Sequence, residues 1–150
     1  MTARVPGYIG RMSSSPVLTG GCGCGAVRFE IDEPLVSAAY CHCTRCQRRS
    51  GTAAGASAKI APGSFRLLDG AEELRRWTPA GGLAKVFCGR CGSALSANDP
   101  DTDEVIGVRL GAIDGDPGIR PQARQFVSYA APWEPIPDDG LPRHPERIPR

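Results

Sequence analysis

Seven cysteines in three tight groups constrain this chain more than any other feature: Cys22-Gly-Cys24, Cys41-His-Cys43-Thr-Arg-Cys46 and Cys88-Gly-Arg-Cys91. Cys-x-x-Cys followed by glycine, as at Cys88 to Gly92, is the spacing of a zinc knuckle, whose tight turn aims two sulfurs at one point. Cys-x-Cys reaches the same end differently, because residues i and i+2 of an extended chain project from one face. An odd number of cysteines rules out complete internal disulfide pairing.

Ligand counting divides the groups. A structural zinc takes four protein ligands, whereas a catalytic zinc takes three and leaves a position open. If each group stays whole, Cys22, Cys24, Cys88 and Cys91 make a closed four-thiolate site. The triplet Cys41, Cys43 and Cys46 then makes a second site with one vacancy. Two Zn²⁺ per chain are the expected cofactors. His42 lies between two ligands of extended chain and is expected to point away from their shared metal; His144 falls in a Pro-rich segment and reads as solvated.

The expected compartment is the cytoplasm. The start of the chain lacks the 7–15-residue apolar stretch of a signal peptide, and no run approaches the ~20 apolar residues of a membrane span. Clustered cysteines in reducing cytosol read as metal ligands or redox groups rather than disulfides. The formal charge of +2 falls to about −1 once seven thiolates bind two Zn²⁺, so no strongly anionic partner is implied and nucleic acid is disfavoured.

Nineteen glycines and fourteen prolines argue for short elements joined by turns, which suits a mainly β domain. Ala26–Ile31 alternates, with Val27, Phe29 and Ile31 on one face. Leu35–Tyr40, Ala53–Ile60, Ser64–Leu68, Glu73–Thr78, Leu83–Phe87, Ala94–Ala97, Val105–Leu110 and Gln125–Tyr129 are the other expected strands. Gly20–Gly21, Pro62–Gly63, Asp69–Gly70 and Gly81–Gly82 read as turns, and Thr44–Ser50 as one short helix. The expected organisation is a flexible tail over residues 1–15, a zinc domain over 16–134 and a Pro-rich tail or strap over 135–150.

Together these residues resemble the glutathione-dependent formaldehyde-activating family, also called the CENP-V/GFA domain. The match is carried by Gly21-Cys22-Gly23-Cys24-Gly25, by Cys41 to Cys46 with Gly51 behind it, and by Phe87 to Gly92. Leu110-Gly111-Ala112-Ile113-Asp114 and Ala131-Pro132-Trp133 are similar to its closing segments. The resemblance implies a β-tent fold, a structural zinc on Cys22, Cys24, Cys88 and Cys91, and a catalytic zinc on Cys41, Cys43 and Cys46. It also implies carbon–sulfur lyase chemistry on a thiol adduct such as S-hydroxymethylglutathione, with glutathione or a similar thiol and a small carbonyl as partners.

Three thiolates on Zn²⁺ leave a net charge of −1, which suits a soft substrate thiol better than hydrolytic water activation. Arg45, Arg48 and Arg49 flank the triplet, either as a solvated basic face or with one of them holding a carboxylate of glutathione. Two other readings remain open from the residues alone. One is a non-enzymatic, zinc-stabilised binding module; the other is a thiol-redox or metal sensor.

Overall fold

The computed structural model describes residues 18–149, so the tail expected over 1–15 lies outside the described residues. Ten strands and one α-helix are described: β1 (Leu18–Gly21), β2 (Arg28–Ile31), β3 (Ser37–Cys41), α1 (Thr44–Ser50), β4 (Gly55–Lys59), β5 (Phe65–Asp69), β6 (Leu74–Trp77), β7 (Ala84–Cys88), β8 (Ala94–Asn98), β9 (Val105–Arg109) and β10 (Arg124–Gln125). They form a three-stranded sheet in the order β1-β2-β5 and a seven-stranded sheet in the order β10-β3-β4-β9-β8-β7-β6. The fold is mainly β, as expected. Every pairing is antiparallel except that of β10 with β3.

One core lies between the two sheets. From the smaller sheet and its approach come Val27, Phe29 and Ile31, which are 1%, 1% and 0% exposed and so confirm the alternating face. Ala38, Ala58, Leu95 and Val108 of the larger sheet join the same cluster, together with Cys22 and Cys88. Phe29 stacks on Phe65 with ring centroids 5.0 Å apart. Several buried positions are only alanine, so each large side chain carries a large share of the apolar burial.

Two expectations need correction. Gly20–Gly21, read as a turn, ends strand β1 instead. The reason is space: a Cβ at Gly20 would lie 2.5 Å from Phe29 Cζ and 2.3 Å from the Ala112 carbonyl oxygen, so glycine lets β1 close over the Phe29 ring. Gln125–Tyr129 is not one strand. Phe126 adopts a left-handed conformation at φ 56°, which breaks the extended chain and starts a 3-10 turn over Val127–Tyr129.

The Pro-rich C-terminal segment lies alongside β10. Arg124 donates its backbone N–H to Pro142 at 2.9 Å, His144 donates to Arg124 at 2.8 Å, and Phe126 donates to Glu146 at 2.9 Å. His144 is half-buried rather than fully solvated. The Arg124 side chain, 7% exposed, anchors this strap. It donates to Asp139 at 2.7 Å and to His42 Nε2 at 3.2 Å, and its guanidinium carbon lies 4.3 Å from the centre of the Tyr40 ring.

Two substitutions test this packing. Phe29→Ala should lower stability by about 3–5 kcal/mol, because it empties a stacked core position. Arg124→Ala should cost roughly 2 kcal/mol, since it strands buried His42 without a partner and releases the strap. Urea midpoints measure both, and amide exchange at His144 and Phe126, whose N–H groups donate across the strap pairing, reports strap release.

Candidate metal centres

The structure gathers the seven cysteines into two groups. Cys22, Cys24, Cys88 and Cys91 form one, and Cys41, Cys43 and Cys46 the other, with all sulfurs of a group within 4.8 Å of one another. In the first, Cys22 and Cys24 follow β1 while Cys88 ends β7 and Cys91 sits in the turn to β8. The Cys22–Cys24 and Cys24–Cys88 sulfur separations are 3.5 and 3.9 Å. These bracket the ~3.8 Å edge of a tetrahedron with Zn–S bonds of about 2.3 Å, so the donor set fits zinc.

Backbone geometry presents these sulfurs. Cys22 N–H donates to Val27 O and Gly25 N–H to Cys22 O, closing the first turn. In the second, Gly92 takes φ +78° and its N–H donates to Cys88 O at 2.8 Å. Ser93 ties the turns together: its hydroxyl accepts from Gly23 N–H at 2.9 Å and lies 3.1 Å from Cys91 Sγ. That hydroxyl, followed by the Ser93 backbone, holds the Cys91 thiol down to about 5.

The triplet is built locally. Cys41 ends β3, Cys43 is the N-cap of α1, and Cys46 lies in the first turn of that helix. Cys43 Sγ accepts the Cys46 N–H at 3.3 Å, so one candidate ligand also caps the helix. A seven-residue helix with no buried residue is marginal alone. Gln47 secures it by donating to the carbonyls of His42 and Tyr129, each at 2.8 Å. Donation from Cys41 lowers the Cys46 thiol to about 5, against the opposing effect of burial and with help from the charge of Arg109. The same contact, together with burial, pushes Cys41 up. In each group hydrogen bonding lowers at least one thiol, the direction in which metal binding, which needs deprotonated sulfurs, is favoured.

His42 does not join the triplet. It is 3% exposed, and because a guanidinium only donates, its Nε2 must accept from Arg124. That fixes a neutral ring with its proton on Nδ1. Burial, then the charges of Arg124 and Arg143, hold its pKa below the ordinary imidazole value.

A cleft of about 690 Å³ is lined by Cys22 of the first group and by Arg49, Gly55 and Arg109; no cysteine of the triplet lines it, and Gly55 and Arg109 separate it from Cys46. Arg109 reaches from β9 across β4, where a Cβ on Gly55 would lie 2.3 Å from Arg109 Nη1 and 3.5 Å from Cys46 Cβ. Glycine at this position leaves the guanidinium room beside Cys46. Lys85 of β7 also senses Cys46, although burial is the larger influence and lowers its pKa. Of the three helix arginines, Arg45 and Arg48 are exposed, and Arg49 is half-buried and lines the cleft. The sequence reading missed Arg109, Lys85 and Ser93. The one available signal was a lone arginine ending the apolar run Val105–Val108, which the strand reading absorbed.

Among the described residues, no helix is long and apolar enough to cross a membrane. The family model described as "Glutathione-dependent formaldehyde-activating enzyme" matches residues 17–129, a span that contains all seven cysteines. A Halomonas elongata protein, provisionally named a glutathione-dependent formaldehyde-activating enzyme, is 32% identical over 108 residues, covering 67% of this chain and 68% of that protein. A crystal structure of a Rhodobacter sphaeroides protein matches with a TM-score of 0.52 at 26% identity, covering 84% of this chain and 98% of that one. The strap beyond Tyr129 lies outside the family match. On these grounds the chain belongs to the glutathione-dependent formaldehyde-activating (GFA) family.

Proposed function

We propose that the chain is a zinc-dependent carbon–sulfur lyase that joins a small thiol to a small carbonyl and reverses that addition. Glutathione and formaldehyde are the pair in the family's description, and S-hydroxymethylglutathione is their adduct. The observation that carries this reading is the three-sulfur group. Among the described residues it gathers three donors and no fourth, with Gly55 and Arg109 between Cys46 and a cleft of about 690 Å³. Cys22, Cys24, Cys88 and Cys91 would hold one zinc completely, and Cys41, Cys43 and Cys46 a second with a position left for substrate.

Bound at the triplet, zinc would keep a coordinating substrate thiol deprotonated at neutral pH. Cys41, Cys43 and Cys46 are anionic donors and make the site electron-rich, which favours a soft thiolate over water activation. Addition forms one C–S bond between the thiolate sulfur and the carbonyl carbon, and the oxygen takes a proton from solvent. Cleavage returns that proton and expels the thiolate. Arg49, Lys85 and Arg109 stand around Cys46 and offset the negative charge that the sulfurs accumulate.

Zinc analysis of protein purified without chelator, alongside turnover of glutathione and formaldehyde, tests the reading. Cys46→Ser should take zinc from two per chain to one, keep its circular dichroism spectrum and lose turnover by on the order of 100-fold or more. Unchanged turnover in that variant would contradict a lyase built on the triplet. Cys88→Ser should instead abolish cooperative thermal unfolding, because it opens the site that joins the two sheets.

A further inference from the structure

We infer that Arg109, backed by Arg49, binds a carboxylate of the thiol substrate and so selects acidic thiols at the three-cysteine site. This rests on the lyase reading for its substrate and on the geometry of the cleft for the residue. Arg109 is held beside Cys46 by the space that Gly55 leaves; its Nη1 donates to Ser57 Oγ at 3.3 Å, and its guanidinium already acts on the Cys46 sulfur. A guanidinium carries five N–H donors in a planar fork suited to a carboxylate, so donors remain. Among the described residues, neither Arg109 nor Arg49 forms an ion pair with a carboxylate.

The charges point the same way. Arg49 and Arg109 are close enough to repel each other, and Lys85 feels both. All three cations are half-buried, and among the described residues no carboxylate forms an ion pair with any of them. Three thiolates and a divalent cation sum to −1, and a bound substrate thiolate makes −2. Arg49, Arg109, Lys85 and Arg45 outweigh that charge, which leaves positive charge for a substrate carboxylate to meet. The cleft's remaining arginine, Arg28, is already held by Asp114. Arg45 and Arg48 are exposed, which leaves the Arg109–Arg49 pair as the fork that faces both Cys46 and the cleft.

The test compares glutathione with its diethyl ester, in which both carboxylates are blocked, in steady-state addition to formaldehyde. Wild type should prefer glutathione by roughly 10- to 100-fold in kcat/KM, mainly through KM, as expected for a charge-assisted hydrogen bond. Arg109→Gln should bring that preference close to unity with zinc content unchanged, and Arg109→Lys should restore part of it. Equal use of the ester by wild type, or the same preference in Arg109→Gln, would overturn the assignment. Calorimetry with S-methylglutathione, which has no free thiol, separates the assignment from the lyase reading. Binding that weakens roughly tenfold in Arg109→Gln upholds the carboxylate site even if no thiol turns over, and then only the lyase reading falls. S-methylglutathione that binds both proteins equally, or neither, overturns the carboxylate site whatever the turnover.

Discussion

The meeting of four sulfurs at the junction of the two sheets is the contact on which this architecture depends. Cys22 and Cys24 come from the end of the smaller sheet, and Cys88 and Cys91 from a hairpin of the larger one. The sequence separation across the junction is long, 64 residues between Cys24 and Cys88, so a metal bound there closes a large loop and restrains the unfolded chain. Apolar packing alone has little in reserve, because alanine occupies many buried positions. Cys22 and Cys88 also belong to the core cluster, which couples sheet packing directly to the proposed zinc. Ser93 adds a second link between the same two turns.

The triplet obeys a different logic. Its three sulfurs come from Cys41 to Cys46, the end of one strand and the first turn of the helix after it. Closing so short a segment adds little to global stability, so an ion held there would not be needed to keep the fold together. Its neighbours come from far away in sequence: Arg109 from β9, Lys85 from β7 and Gly55 from β4. The larger sheet therefore brings charge to a site whose ligands are local. His42 faces the other way and meets Arg124, which links the Cys41–Cys43 segment to the strap through Asp139.

Much of this was legible in the sequence, for physical reasons. Cysteine spacing at i+2 and i+3 shows which sulfurs converge within each cluster, and counting four ligands against three pairs the two distant doublets, the same grouping that the structure gathers. Eight of the nine expected strands appear with ends shifted by no more than two residues, since alternation and Gly or Pro punctuation are local signals. Where tertiary contact decided, the reading failed. Gly20–Gly21 looks like a turn until the Phe29 ring requires the space, and Phe126 breaks a strand by a left-handed backbone that no apolar pattern encodes. Arg109 stayed hidden because its role depends on a glycine one strand away in the sheet. Helix neighbours Arg45 and Arg48 drew attention by proximity in sequence, yet both face solvent.

The measurement that tests the central claim most directly is zinc-edge X-ray absorption on protein purified without chelator. Two zincs per chain, one closed and one open, should give a mean of about 3.5 sulfur neighbours per zinc at about 2.3 Å, rising toward 4 when glutathione is added. A single zinc with four sulfurs, unchanged by glutathione, would contradict the account and leave the triplet without its metal.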